Sequence, residues 1–98
     1  MNQSLTIFYM EGCPYCRNAK KAVQELQKAD PRYASIPLTW IDENKEPELA
    51  SAHDYYYVPT IYLRDRKLYE ASPSQGYAEI HNEIENAFTV FLSENTAG

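Results

Sequence analysis

Apolar residues follow two different rhythms along this 98-residue chain. Residues 5–10, Leu-Thr-Ile-Phe-Tyr-Met, are mostly β-branched and aromatic and predict a buried strand. Glu11-Gly12 breaks it. The rhythm then changes: Ala19, Ala22, Val23 and Leu26 recur at i, i+3, i+4 and i+7, one face of a helix that runs to about Lys28 or Ala29. Pro14 suits the first helical position, where a missing N–H costs nothing. Asp30-Pro31 ends the helix, because the residue before a proline is pushed out of the α region. Residues 38–42 predict a second strand. Pro47 opens a short helix over 47–53 with Leu49 and Ala52 as its apolar side. Residues 60–63 predict a third strand, with Pro59 just at its start, where proline is tolerated. Arg64-Asp65-Arg66 reads as a turn and 67–71 as the hairpin partner. Ser72-Pro73-Ser74-Gln75 has the signature of a helix start: Ser72 caps, Pro73 is first, and Gln75 closes a capping box. Tyr77, Ile80, Ile84, Phe88 and Phe91 then form one stripe down a long helix to Leu92, and 93–98 should fray.

The order is strand, helix, strand, helix, strand, strand, helix, an α/β fold with helices packed on a central sheet. Nothing marks a boundary, repeat or linker, so residues 1–98 read as a single domain. A net charge of −5 without a Lys/Arg block argues against nucleic acid and against an anionic membrane surface. No apolar run reaches membrane-spanning length, and the first residues lack a basic segment leading into an apolar one. The expected compartment is therefore the reducing cytoplasm, where two close cysteines point to catalysis or metal binding rather than to a structural staple.

Both cysteines stand in Cys13-Pro14-Tyr15-Cys16, between the first strand and the first helix. Free N–H groups and the dipole at a helix start favour a thiolate, the nucleophilic form of cysteine. Cys13 is placed there, at the exposed helix tip, and would attack a substrate disulfide to form a mixed disulfide. Cys16, one turn on and on the Ala19–Val23 face, would turn inward and resolve that intermediate. Arg17 and Lys20 are the nearest cations in sequence. Tyr15, between the thiols, is placed to line a substrate groove. A zinc site would need His53 and His81 to complete it, and each reads more simply as a helix-surface histidine. Inert core cysteines are the other alternative, against which the intervening proline at a helix start argues. In Tyr55-Tyr56-Tyr57, packing of one or two rings under the sheet edge is the favoured reading over a substrate contact beside Val58-Pro59. Arg64, Arg66 and Lys67 read as a solvated turn.

Cys13-Pro14-Tyr15-Cys16 after a first strand, with Val58-Pro59-Thr60 before a later one, resembles the dithiol glutaredoxins of the thioredoxin superfamily. The resemblance covers nearly the whole chain in element order. It implies a thioredoxin-like fold, a four-stranded mixed central sheet with three helices. It implies that Pro59 is cis and that the Val58 backbone pairs with a substrate peptide or with glutathione. Tyr15, Val58, Pro59, Ser74, Gln75 and Gly76 become the substrate- or glutathione-binding set, with N–H groups at the 72–75 helix start holding a carboxylate. The implied partner is a disulfide-containing protein or a glutathione mixed disulfide. The reductant is glutathione or a thioredoxin-reductase-type enzyme, with no bound cofactor or metal and a monomeric chain. The chain departs from that pattern at Met10, where glutaredoxins commonly carry lysine, and at residues 69–76, where a Gly-Gly turn and an acidic pair are usual. It departs from ordinary thioredoxins at Gly12, where those have Trp, and at Ile7, where they keep a buried acid. A thioredoxin-like reductase that does not use glutathione, an iron–sulfur module bridged through Cys13, and a non-catalytic interaction domain are the alternatives.

Overall fold

The computed structural model describes residues 3–95. In chain order it contains β1 (Leu5–Tyr9), α1 (Pro14–Ala29), α2 (Pro31–Ala34), β2 (Leu38–Asp42), α3 (Pro47–Ser51), β3 (Thr60–Leu63), β4 (Arg66–Glu70) and α4 (Tyr77–Asn95). The strands form one mixed sheet in the order β2-β1-β3-β4. β1 runs parallel to β2, with Leu5 opposite Leu38 and Tyr9 opposite Asp42. It runs antiparallel to β3, with Leu5 opposite Leu63 and Phe8 opposite Thr60. The β3–β4 hairpin is antiparallel, and Leu68 is an extra residue in it, since Ile61 faces Tyr69 while Tyr62 faces Lys67.

Strand alternation sorts the side chains into two clusters. Leu5, Ile7, Ile61 and Leu63 face α1 and α4, where Ala19, Ala22, Val23 and Leu26 meet Ile80, Ile84, Ala87, Phe88 and Phe91. Phe8 and Tyr62 point to the opposite face and cluster with Ile41, Val58, Cys13 and Cys16. The cysteines therefore sit in the smaller cluster, where α1 begins.

Several expected boundaries move. Asp30 does end α1, its N–H donating to the Leu26 carbonyl, but its carboxylate also accepts the Arg32 N–H at 2.9 Å and caps the one-turn α2. Tyr33 of that helix packs on Phe88 with ring centroids 5.5 Å apart, and its hydroxyl donates to Glu85 at 3.0 Å. α3 stops at Ser51, none of its residues is buried, and Leu49, expected on an apolar side, is exposed. β4 lies one residue earlier than expected. α4 does not start at Ser72–Gln75. That stretch is a turn with Ser74 at φ 72°, and the helix begins at Tyr77. Gln75 Oε1 does accept the Ser72 N–H at 3.2 Å, as in a capping box, but the left-handed Ser74 turns the chain out of the helical path. α4 continues to Asn95, past the expected end at Leu92. Of the tail expected to fray, 96–98 lie outside the described residues.

Candidate active site

β1 delivers the chain to the site, and a tight turn redirects it into α1. Gly12 supplies that turn with φ 81°, a region that other residues reach only with strain. Cys13 follows as the extended N-cap of α1, and Pro14 is first in the helix, where it was expected. Serine-like capping is done here by sulfur: Cys13 Sγ accepts the Cys16 N–H at 3.4 Å. The Cys13 carbonyl accepts the Arg17 N–H at 3.0 Å. Cys13 Sγ also lies 3.9 Å from the Val58 carbonyl, a long thiol contact across to the next loop. The Val58-Pro59 bond is cis.

Both cysteines are free thiols. Cys16 is 2% exposed, inward as expected. Cys13, expected at an exposed tip, is only 7% exposed. Val58 closes over it from the β3 side, while Met10 and Tyr15 pack against the same cluster. A cavity of about 250 Å³ opens between the β1–α1 turn and α1, lined by Met10, Glu11, Arg17 and Lys20 together with both cysteines. Lys20 Nζ stands 4.0 Å from a Glu11 carboxylate oxygen and 4.4 Å from the centre of the Tyr9 ring.

The loop before Pro59 is held from several sides. Tyr62 hydroxyl donates to the Asp54 carbonyl at 2.7 Å and accepts its N–H at 3.1 Å. Glu70 Oε2 accepts the N–H groups of Tyr56 and Tyr57 at 2.6 and 2.9 Å. Thr60 Oγ1 donates to the Tyr57 carbonyl at 2.5 Å. Tyr55 stacks on Phe8 at 5.1 Å and donates to Glu43 at 2.8 Å, the packing role favoured for this segment. Tyr56 and Tyr57 stay exposed. His53 lies between the rings of Phe8 and Tyr62, with centroids 4.7 and 4.8 Å away, and His81 lies against Tyr77.

Tyr15 reaches the third wall. Its hydroxyl accepts the Ser74 N–H at 2.9 Å. Gln75 Oε1 accepts from the Tyr69 hydroxyl at 2.7 Å as well as from Ser72, and Gly76 donates its N–H to Glu79 at 2.9 Å. Cys13, Cys16, Tyr15, Val58 and Ser74 are thus one neighbourhood, with Gln75 and Gly76 turned to local partners. Glu43 and Glu70 belong to its supports, and sequence spacing gave no sign of either, since both act on loops distant along the chain.

Residues 7–73 match the sequence profile of the N-terminal domain of glutathione S-transferases. The chain belongs to that family. The matched span takes in both cysteines and Val58-Pro59 and ends just before Ser74, Gln75 and Gly76. No curated protein matches the sequence. Among solved structures, the chain is similar to a malarial protein at 20% identity and a TM-score of 0.58, covering 87% of this chain and 96% of that one. It is also similar to thioredoxin 1 from the thermophilic eubacterium Thermosipho africanus, at 18% identity and a TM-score of 0.57, covering 89% and 96%. A mutant thioredoxin from Halobacterium salinarum gives 24% identity and a TM-score of 0.55 over 85% and 72%. The fold is thioredoxin-like, the mixed four-stranded sheet with flanking helices that the resemblance implied.

Family membership leaves the two sulfurs to be told apart by their surroundings. Burial pushes the Cys16 thiol up to about 12, against a smaller lowering by a hydrogen bond with the Met10 backbone, and the nearby Cys13 and the Glu43 charge add to the rise. Cys16 is therefore a neutral thiol at physiological pH. Iodoacetamide at pH 8 is expected to leave Cys16 unmodified, with its labelling rising only through the alkaline range; peptide mass mapping against pH checks this. The same raised value means that the folded chain keeps a proton the unfolded chain gives up above about 9, so Cys16 withdraws stability as pH climbs from there toward 12. Urea midpoints at pH 7 and pH 10 should show a smaller loss for Cys16→Ser than for the unchanged protein.

Proposed function

We infer that this chain is a thiol–disulfide oxidoreductase of the dithiol glutaredoxin type, with Cys13 as nucleophile and Cys16 as resolving thiol. The observation that carries the reading is Cys13 Sγ at the N-cap of α1, accepting the Cys16 N–H at 3.4 Å and lying beside Val58. A sulfur held at the positive end of a helix dipole, against an N–H donor, is placed to carry the charge of an attacking thiolate.

The reaction balances as two exchanges. Cys13 thiolate attacks one sulfur of a substrate disulfide; a Cys13–substrate disulfide forms and the other substrate sulfur leaves as a thiolate that takes up a proton. Cys16 then loses its proton, attacks Cys13 Sγ and displaces the second substrate sulfur. The substrate disulfide is reduced by two electrons, and the Cys13–Cys16 pair is oxidised by two. An external reductant, glutathione or a reductase-type enzyme, returns both thiols. The high protonation value of Cys16 orders the steps, because a neutral Cys16 leaves the first attack to Cys13. The setting we propose is a monomer in the cytoplasm acting on protein or glutathione mixed disulfides.

Cys16→Ser tests the order. With the resolving thiol removed, incubation with a disulfide substrate should leave one substrate half attached to Cys13, seen as a mass increase that dithiothreitol reverses. Attachment elsewhere, or none, is the result that sinks the reading.

A further inference from the structure

Loop 72–76 meets the cysteine motif at Tyr15, and its backbone N–H groups are all engaged. The Ser72 N–H goes to Gln75 Oε1 at 3.2 Å and that of Ser74 to the Tyr15 hydroxyl at 2.9 Å. The Gln75 N–H goes to the Ser72 carbonyl at 3.3 Å and that of Gly76 to Glu79 Oε1 at 2.9 Å. Pro73 has none. The free N–H groups expected at a 72–75 helix start do not exist, because no helix starts there. The helix that does follow, α4, has the Glu79 carboxylate already at its positive end, where an incoming anion would otherwise be favoured. One of these four contacts comes from outside the loop and the following helix: that of Tyr15, which stands between the two thiols.

Resting on the oxidoreductase reading above, we propose that Tyr15 determines specificity: by holding the Ser74 N–H it closes loop 72–76 to free carboxylates, so that Cys13 takes disulfides within polypeptides in preference to glutathione mixed disulfides. Glutathione is a small peptide with two free carboxylates, and a carboxylate leaving water needs donors to replace its hydration. Here the backbone donors of loop 72–76 are spoken for, that of Ser74 by a hydroxyl and that of Gly76 by a competing carboxylate. At the β1–α1 turn the chain offers the uncharged Met10, Lys20 is drawn toward Glu11, and the one further cation lining the cavity, Arg17, lies on the exposed side of α1, away from loop 72–76 in sequence. A disulfide inside a polypeptide brings flanking amides instead of charges. It can use the Val58 carbonyl, which among the described residues is met by the long 3.9 Å thiol contact alone, without needing loop 72–76.

The test is a titration of isotope-labelled protein with S-methylglutathione, which carries both carboxylates and no reactive thiol. In the unchanged chain the amide signals of Ser74, Gln75 and Gly76 should not move saturably in the millimolar range. Tyr15→Phe gives up the hydroxyl and frees the Ser74 N–H, and should bind roughly 10-fold tighter with the largest shift at Ser74. Tyr15→Ala, which removes the ring as well, should do the same. In turnover, kcat/KM for a glutathione mixed disulfide relative to a peptide disulfide should rise about 10-fold in Tyr15→Phe, the change lying in KM. Equal binding by the unchanged chain and both variants overturns the proposal, and so does absence of binding in all three. The titration needs no chemistry at Cys13, so an inactive protein would sink the oxidoreductase reading and leave the binding comparison intact.

Discussion

Cys13→Ser is expected to bring disulfide turnover down to the uncatalysed rate while leaving the fold at least as stable as before. The two halves of that expectation have one structural source. Cys13 is the N-cap of α1, and its sulfur accepts the Cys16 N–H at 3.4 Å. Serine is among the preferred residues at that place, and its shorter, harder oxygen suits an N–H donor better than sulfur does. The helix start is therefore preserved, and the stability change should be zero to a gain of about 1 kcal/mol. A serine hydroxyl, however, is not ionised near neutral pH and forms no mixed disulfide. Turnover assays beside urea unfolding curves separate the two effects. Retained turnover would move the chemistry away from Cys13, whereas lost turnover with a lowered urea midpoint would mean that the helix start had been damaged.

Phe88→Ala carries the largest expected effect on stability. Phe88 is fully buried at the meeting of α4 with α1 and the sheet, and Tyr33 of α2 packs on its ring. Truncating such a side chain removes its transfer free energy and leaves a cavity that close-packed neighbours fill only in part, a loss of about 3–5 kcal/mol. A small domain holds roughly 5–15 kcal/mol in all, so the variant should melt some 15–30 °C lower, or fail to fold if the chain lies at the bottom of that range. Thermal unfolding followed by circular dichroism measures it. A fall of under about 1 kcal/mol would mean that the α1–α4 contact is looser than the burial of Phe88 indicates.

How much of this was legible beforehand depended on the range over which each feature is decided. The stripes of α1 and α4 and the strands β1, β2 and β3 are written in local periodicity, and the residues that periodicity assigned to the core of the two long helices are buried, except Tyr77, which is half-buried at the start of α4. The pairing of Cys13-Pro14-Tyr15-Cys16 with a cis Pro59 followed from resemblance, since no local signal distinguishes a cis bond. α2 was hidden because the same Asp30-Pro31 that stops one helix starts the next, and only the position of the Asp30 carboxylate on the Arg32 N–H shows it. The start of α4 was misplaced because Ser72-Pro73-Ser74-Gln75 satisfies every local capping rule, while the contact that fixes it elsewhere joins Ser74 to Tyr15 from far along the chain. Burial of Cys13 was missed for a related reason. Its cover comes from Val58, Met10 and Tyr15, and the first of these is brought over only when β3 pairs with β1.

The extra residue in the β3–β4 hairpin has a consequence for how copies of this chain meet one another. β4 is an outer strand, and outer strands can recruit neighbours into ever-longer sheets. Leu68 puts a kink into that border, Arg66 and Lys67 set charges along it, and those charges are tied sideways to Glu94 and Glu70. A second molecule approaching this border finds an uneven, charged ladder in place of a straight one. The β4 border is thereby a poor template for adding a further strand.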